Sequence, residues 1–138
     1  MAVRLGLLVL GVTQVAIALW IVIDPGSFFA HVGGFGVRND HYLRDVATFE
    51  MALGVVALIA VQRRSWRLPV LAFAALQFTL HTINHIADSG KAVASTSGAG
   101  DAIELGVGTL LLVALLWLVA REPGRGEGLQ EFRSPPQR

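Results

Sequence analysis

The chain has 138 residues, 54% of them hydrophobic and only 15% charged, where soluble domains average about 45–50% and about 25%. These proportions, with a mean hydropathy of +0.60, exclude disorder over most of the length and a soluble globular domain of ordinary composition. A net charge of +1 leaves no basic face to neutralise phosphates, which excludes a nucleic-acid partner, and the absence of cysteine excludes disulfides, thiolate metal sites and iron–sulfur clusters.

The first long apolar stretch runs from about Leu5 to Ile23. Arg4 ahead of it is reminiscent of a secretory signal, but the run outlasts an h-region of about 7–15 residues and carries Gln14 in its middle, so it reads as a retained helix. Asp24 and Pro25 end it. Phe28, Phe29 and Phe35, set among glycines, then predict a loop lying in the interface as a lid, and His31 reads as a solvated histidine. The second stretch, from about Tyr42 to Val61, is interrupted by Glu50. A short turn follows with Arg63, Arg64 and Arg67 and no acid. The third stretch, from Leu68 to Ala87, carries His81, Asn84 and His85. The run Ser89 to Gly100, rich in glycine and serine, predicts a flexible loop. The fourth stretch runs from Ala102 to Ala120, and the proline- and glycine-rich residues 122–138 predict a disordered tail.

Each stretch has about 19–20 residues, enough at 1.5 Å per residue to cross a hydrocarbon core of ~30 Å. None shows the alternation of a barrel strand, and a backbone in lipid must satisfy its own hydrogen bonds. The expected fold is therefore all-α: an integral membrane four-helix bundle over residues 1–121, with the lipid bilayer as its principal partner. Arg4, the turn with Arg63, Arg64 and Arg67, and Arg121 and Arg125 place the positive charge at one end. The positive-inside rule puts both termini and that turn in the cytoplasm and the 24–41 and 88–101 connections outside, in a multi-pass protein of the plasma membrane.

Polar residues in membrane spans are costly, by ~2.5–3.5 kcal/mol for a centred Asp, Lys or Arg, so each needs a partner or a task. Gln77, His81, Asn84, His85 and Asp88 fall within an arc of about 100° on the third span, a single stripe that must face the bundle interior or a hydrated cavity. Under the inferred orientation every ionisable residue within the spans lies in the outer half. His41, Asp88 and Asp101 form a mouth, and Asp45, His85 and Glu104 lie a turn deeper. Glu50 and His81 sit roughly 10–12 Å below the interface. Gln14 reaches a similar depth. Glu50 lies about 140° around its helix from Asp45, so the deeper Glu50 is assigned to the pocket, and Asp45 with Arg44 to an interfacial ion pair. Gly106 and Gly108 are expected to admit a close neighbouring helix.

The convergence predicts one pocket, open outward and sealed inward, and three readings of it stand. His81 and His85, at i and i+4, with Glu50 and Glu104 from facing helices, can ligate a metal; imidazole with carboxylate suits zinc, iron, copper or manganese, and haem is a variant. An organic ligand such as a quinone or a lipid headgroup can be held by Asn84, Gln77, His41, Asp45, Asp88, Asp101 and Gln14. Alternatively the same groups form a hydrogen-bonded network that only fixes helix packing. Arg44, Arg63, Arg64 and Arg67 read as structural. Neither catalysis nor an oligomeric state follows from these residues; a redox system with other membrane subunits, a homo-oligomer and a non-enzymatic accessory module are all compatible with them. Proton or ion transport is disfavoured, because the inner halves of the spans carry no polar relay.

Asp24 with Pro25, the run Asn39, Asp40, His41, Tyr42, Leu43, Arg44 and Asp45, Gly54, the arginine turn, and His81 with Asn84 and His85 together resemble the small four-helix membrane proteins of actinobacteria loosely grouped as DoxX-like. The resemblance spans about residues 5–120. It implies a four-helix membrane fold and, through the quinone-linked thiosulfate oxidation associated with DoxX, redox chemistry at a membrane quinone pool. The chain has no cysteine for sulfur transfer.

Overall fold

The computed structural model describes residues 1–93 and 98–122. Five α-helices follow in order: α1 (Ala2–Ile23), α2 (Pro25–His31), α3 (Asp40–Gln62), α4 (Arg67–Asp88) and α5 (Ala99–Ala120). The four long ones are long and apolar enough to cross a membrane, and each outruns its expected span by one to a few residues. The tail expected from residue 122 falls outside the described residues beyond Glu122, as does part of the expected 88–101 loop.

Residues 24–31, expected as loop, form a short helix instead. Asp24 ends α1 and caps α2, its carboxylate accepting the Ser27 N–H at 2.9 Å, with Pro25 in the first turn. An aspartate followed by proline is a start signal as much as a stop, because proline has no N–H to leave unsatisfied there. Trp20 donates its indole N–H to the Ser27 hydroxyl at 3.3 Å and meets the Phe28 ring edge-on, which fastens α2 across the end of α1. The chain then turns at Gly36, whose φ of +65° belongs to glycine. Arg38 grips Asp40 with two hydrogen bonds of 2.6 and 3.0 Å, and that contact raises the guanidinium pKa above its ordinary value. Asn39 caps α3 by accepting the N–H groups of His41 and Tyr42.

The helices associate as chain neighbours: α1 packs along α3 and α4 along α5, while the two pairs meet more sparingly. Between α1 and α3 the closest point is Gly11 against Gly54, where a methyl group on either would lie about as close as 2.9–3.0 Å to the other's carbonyl oxygen. At the pair of glycines expected to play this part, Gly106 and Gly108, there is more room: an added methyl group would lie 3.8 Å from Thr82 and 3.3 Å from Phe78. Leu7, Leu53, Leu71 and Val119 are fully buried in one core towards the arginine-turn end, and a smaller core of Ala18, Ile21, Phe28 and Ala47 lies beneath α2.

The arginine turn divides its charges among separate tasks. Arg64 pairs with Glu122 at 2.8 Å. Arg67 donates to the carbonyls of Ala60 and Val61, at 3.2 and 3.0 Å, and so completes the last turn of α3 where backbone acceptors lack intrahelical partners. Arg67→Ala is expected to cost about 1–2 kcal/mol of stability in a detergent-unfolding titration. Arg63→Ala, at an exposed position, is expected to change it by no more than about 0.5 kcal/mol.

Candidate functional site

Where the two helix pairs part, at the end opposite the arginine turn, they enclose a cavity of ≈ 480 Å³. All five helices contribute to it. Its apolar wall includes Ile17 from α1, Phe28 from α2, Leu43 and Val46 from α3, Phe78 from α4 and Leu105 from α5, with Val32 and Phe35 from the segment beyond α2. Its polar residues are Thr13 and Gln14 on α1, Glu50 on α3, Gln77, His81 and His85 on α4, and Asp101 and Glu104 on α5.

The roof is tied down. Phe35 pairs with Ala92 in an isolated antiparallel bridge, the Val93 N–H donates to the Gly34 carbonyl at 2.7 Å, and the Phe35 ring meets His85 edge-on at 4.9 Å. The two connections at this end thus hold each other over the cavity. The aromatic residues of the expected lid divide: Phe28 and Phe35 line the cavity, whereas Phe29 does not.

Inside, two polar groupings face each other. Gln14, 3% exposed, donates its amide N–H to the carboxylate of Glu50, 6% exposed, linking α1 to α3. On α4 the Gln77 amide stands 3.4 Å from His81 Nδ1, the Nε2 atoms of His81 and His85 are 2.9 Å apart, and His85 Nδ1 lies 3.9 Å from Asp101 Oδ2. With Gln77 Nε2 as the donor, the protons along this chain follow. Gln77 Nε2–H donates to His81 Nδ1, so His81 carries its proton on Nε2 and donates to His85 Nε2. His85 then carries its proton on Nδ1, facing the Asp101 carboxylate. The reverse assignment would aim a lone pair of His85 at that carboxylate. Gln77 Oε1 and His85 Nδ1 are left buried with no hydrogen-bond partner among the described residues.

Of the residues singled out in the sequence, the cavity brings together His81, His85, Glu50, Glu104, Gln77, Asp101 and Gln14. Glu104 lines it while remaining exposed on α5. Asn84, His41, Asp45 and Asp88 do not line it. The α4 arc that does runs from Gln77 through His81 and His85 to Phe78, which leaves Asn84 just beyond its edge and exposed. His41 and Asp45 face each other at 3.6 Å on the exposed side of α3, in place of the expected pairing of Asp45 with Arg44. Asp88 pairs with Lys91 at 2.6 Å.

The metal set expected from His81, His85, Glu50 and Glu104 is not assembled. Glu50 is engaged by Gln14, the two imidazoles bond to each other through their Nε2 atoms, and no group of three or more His, Asp or Glu side chains is placed to hold a metal among the described residues. The apolar walls could not have been singled out in the sequence, because Ile17, Leu43, Phe78 and Leu105 look like any other residues of an apolar helix.

Fold and site together define a class: a bundle of four helices fit to cross a membrane, with a cavity whose walls are largely apolar and whose polar groups come from all four. No family model matches the chain, and comparison with curated proteins and with solved structures finds no match to it.

Proposed function

We propose that this is a multi-pass membrane protein that binds a small organic molecule, apolar over most of its surface, in the cavity between its helix pairs. The distribution of charge supports an orientation with both termini and the arginine turn in the cytoplasm and the cavity facing outward. The observation that carries the reading is the lining itself. Sites for small molecules are concave, of about 300–1,000 Å³, mostly apolar, with a few polar groups that fix orientation, and a cavity of ≈ 480 Å³ combines such walls with the Gln14–Glu50 and Gln77–His81–His85 groupings. A network serving packing alone has no need of the space beside it. A metal centre would need Glu50 to leave Gln14 and the two histidines to separate.

The test is to purify the protein in mild detergent, extract it with organic solvent and measure bound small molecules and metals together. A near-stoichiometric organic compound is expected, and it is expected to disappear in Ile17→Trp, which fills the cavity from α1. Stoichiometric metal that His81→Ala removes would establish the metal centre instead. Extracts free of any retained compound, from protein that also fails to take one up, would sink the binding reading.

A further inference from the structure

We infer that the ligand is a lipophilic amine, bound as its ammonium; this rests on the proposal that the cavity binds an organic molecule. Among the described residues the lining contains three carboxyl side chains, Glu50, Asp101 and Glu104, and neither lysine nor arginine. The groups facing the space are therefore acidic from α3 and α5, imidazole from α4, and uncharged from α1 and α2.

The hydrogen bonds sharpen the point. In the proton assignment above, the His81 N–H is spent on His85, and the His85 Nδ1–H, 3.9 Å from Asp101 Oδ2, is the one imidazole donor without a hydrogen-bond partner among the described residues. Two imidazoles joined through their Nε2 atoms cannot both be cations, because one of those nitrogens must supply a lone pair. Acceptors are plentiful. Gln77 Oε1 is buried without a partner among the described residues, and Glu50 binds Gln14 through Oε2, which leaves its second oxygen. An ammonium brings up to three donors to these acceptors, together with the charge that complements the carboxyls. The rings of Phe28, Phe35 and Phe78 suit the same guest, since an aromatic face attracts a cation and accommodates its apolar body. A carboxylate ligand would meet three like groups, and a quinone, which offers only acceptors, would leave Gln77 Oε1 unsatisfied.

Three probes that share one body and differ in the head separate the possibilities: 4-phenylbutylamine, 4-phenylbutan-1-ol and 4-phenylbutyrate, titrated calorimetrically into the full chain in nanodiscs of zwitterionic phospholipid, with empty nanodiscs as the blank. The amine is expected to bind roughly tenfold or more tightly than the alcohol, and the carboxylate most weakly. Glu50→Gln is expected to weaken the amine by roughly tenfold and to move the alcohol by less than about twofold. Glu104→Gln, at an exposed position of the lining, repeats the test from α5. Binding of the alcohol or the carboxylate as tight as that of the amine overturns the ammonium and leaves the pocket standing. Amine binding that neither substitution weakens places the amine elsewhere and also overturns it. No binding of any probe above the blank, together with extracts free of bound compound, removes the pocket itself.

Discussion

Gly54→Ala is expected to lower stability by about 2–3 kcal/mol, the upper range for an added methyl group in a packed interior, and Gly54→Leu to prevent α1 and α3 from closing at all. The new carbon would lie 2.8 Å from Val15 Cγ2, 2.9 Å from the Gly11 carbonyl oxygen and 2.9 Å from the Val15 nitrogen. Two of those three neighbours are backbone, so no rotamer change relieves them; the helix as a whole must move, along the most extensive helix contact in the molecule. Small residues matter at such points in membrane proteins because association there depends on close van der Waals packing rather than on expulsion of water. Gly106→Ala is the matched control. Its new methyl group would meet nothing nearer than 3.8 Å, and the gain in helix propensity is expected to stabilise the protein by about 0.5–1 kcal/mol. Unfolding by a denaturing detergent, followed through tryptophan fluorescence, is the measurement that checks both values. A Gly54→Ala protein as stable as its parent would mean that the α1–α3 approach is looser than described.

The second large effect concerns Gln14. Gln14→Leu is expected to cost about 1–3 kcal/mol, because it leaves the Glu50 carboxyl buried without the amide that satisfies it. Polar contacts between membrane helices average only about 0.6 kcal/mol, since the separated helices also find partners, so the cost lies mainly in the stranded acid. That distinction can be measured. Glu50→Gln, which keeps a group able to accept the Gln14 amide, is expected to be nearly neutral for stability. The double substitution Gln14→Leu with Glu50→Leu is expected to recover most of what Gln14→Leu loses, as replacing both partners of a buried contact often does. A double substitution additive in its two losses would show that Glu50 is held by something other than Gln14.

The spans were legible in the sequence because length and hydropathy are properties of single segments. So was much of the site: Gln14, Glu50, His81 and His85 stand out as polar residues that lipid would penalise, and a shared depth on antiparallel helices was enough to gather them. What stayed hidden depends on relations between segments. Gly54 drew notice only within a wider pattern, and its contact with Gly11 cannot be read from either helix; Gly106 and Gly108 have the same local look and a lesser role. The periodicity of α4 located the polar stripe to within one residue's rotation, and that margin decides that Asn84 is outside. Partner choice in the charged groups was equally hidden. Asp45 has Arg44 next to it in sequence, but neighbours one apart do not face each other on a helix, and His41, one turn back, does. The short helix after Asp24 was missed because one residue both ends a helix and begins the next.

The pairing of α1 with α3 and of α4 with α5 also sets an order of events during synthesis. Contacts between successive segments close quickly, because little chain must be gathered to make them, and a growing chain organises from its N-terminus. The Gly11–Gly54 contact can therefore form while the second pair is still being made, and α4 needs only α5 to complete its own. The cavity is different. It takes its walls from both pairs and its roof from the bridge between Phe35 and Ala92, so nothing can occupy it until the last helix has arrived. A ligand of the proposed kind would bind only a finished molecule, and its uptake would report that assembly is complete.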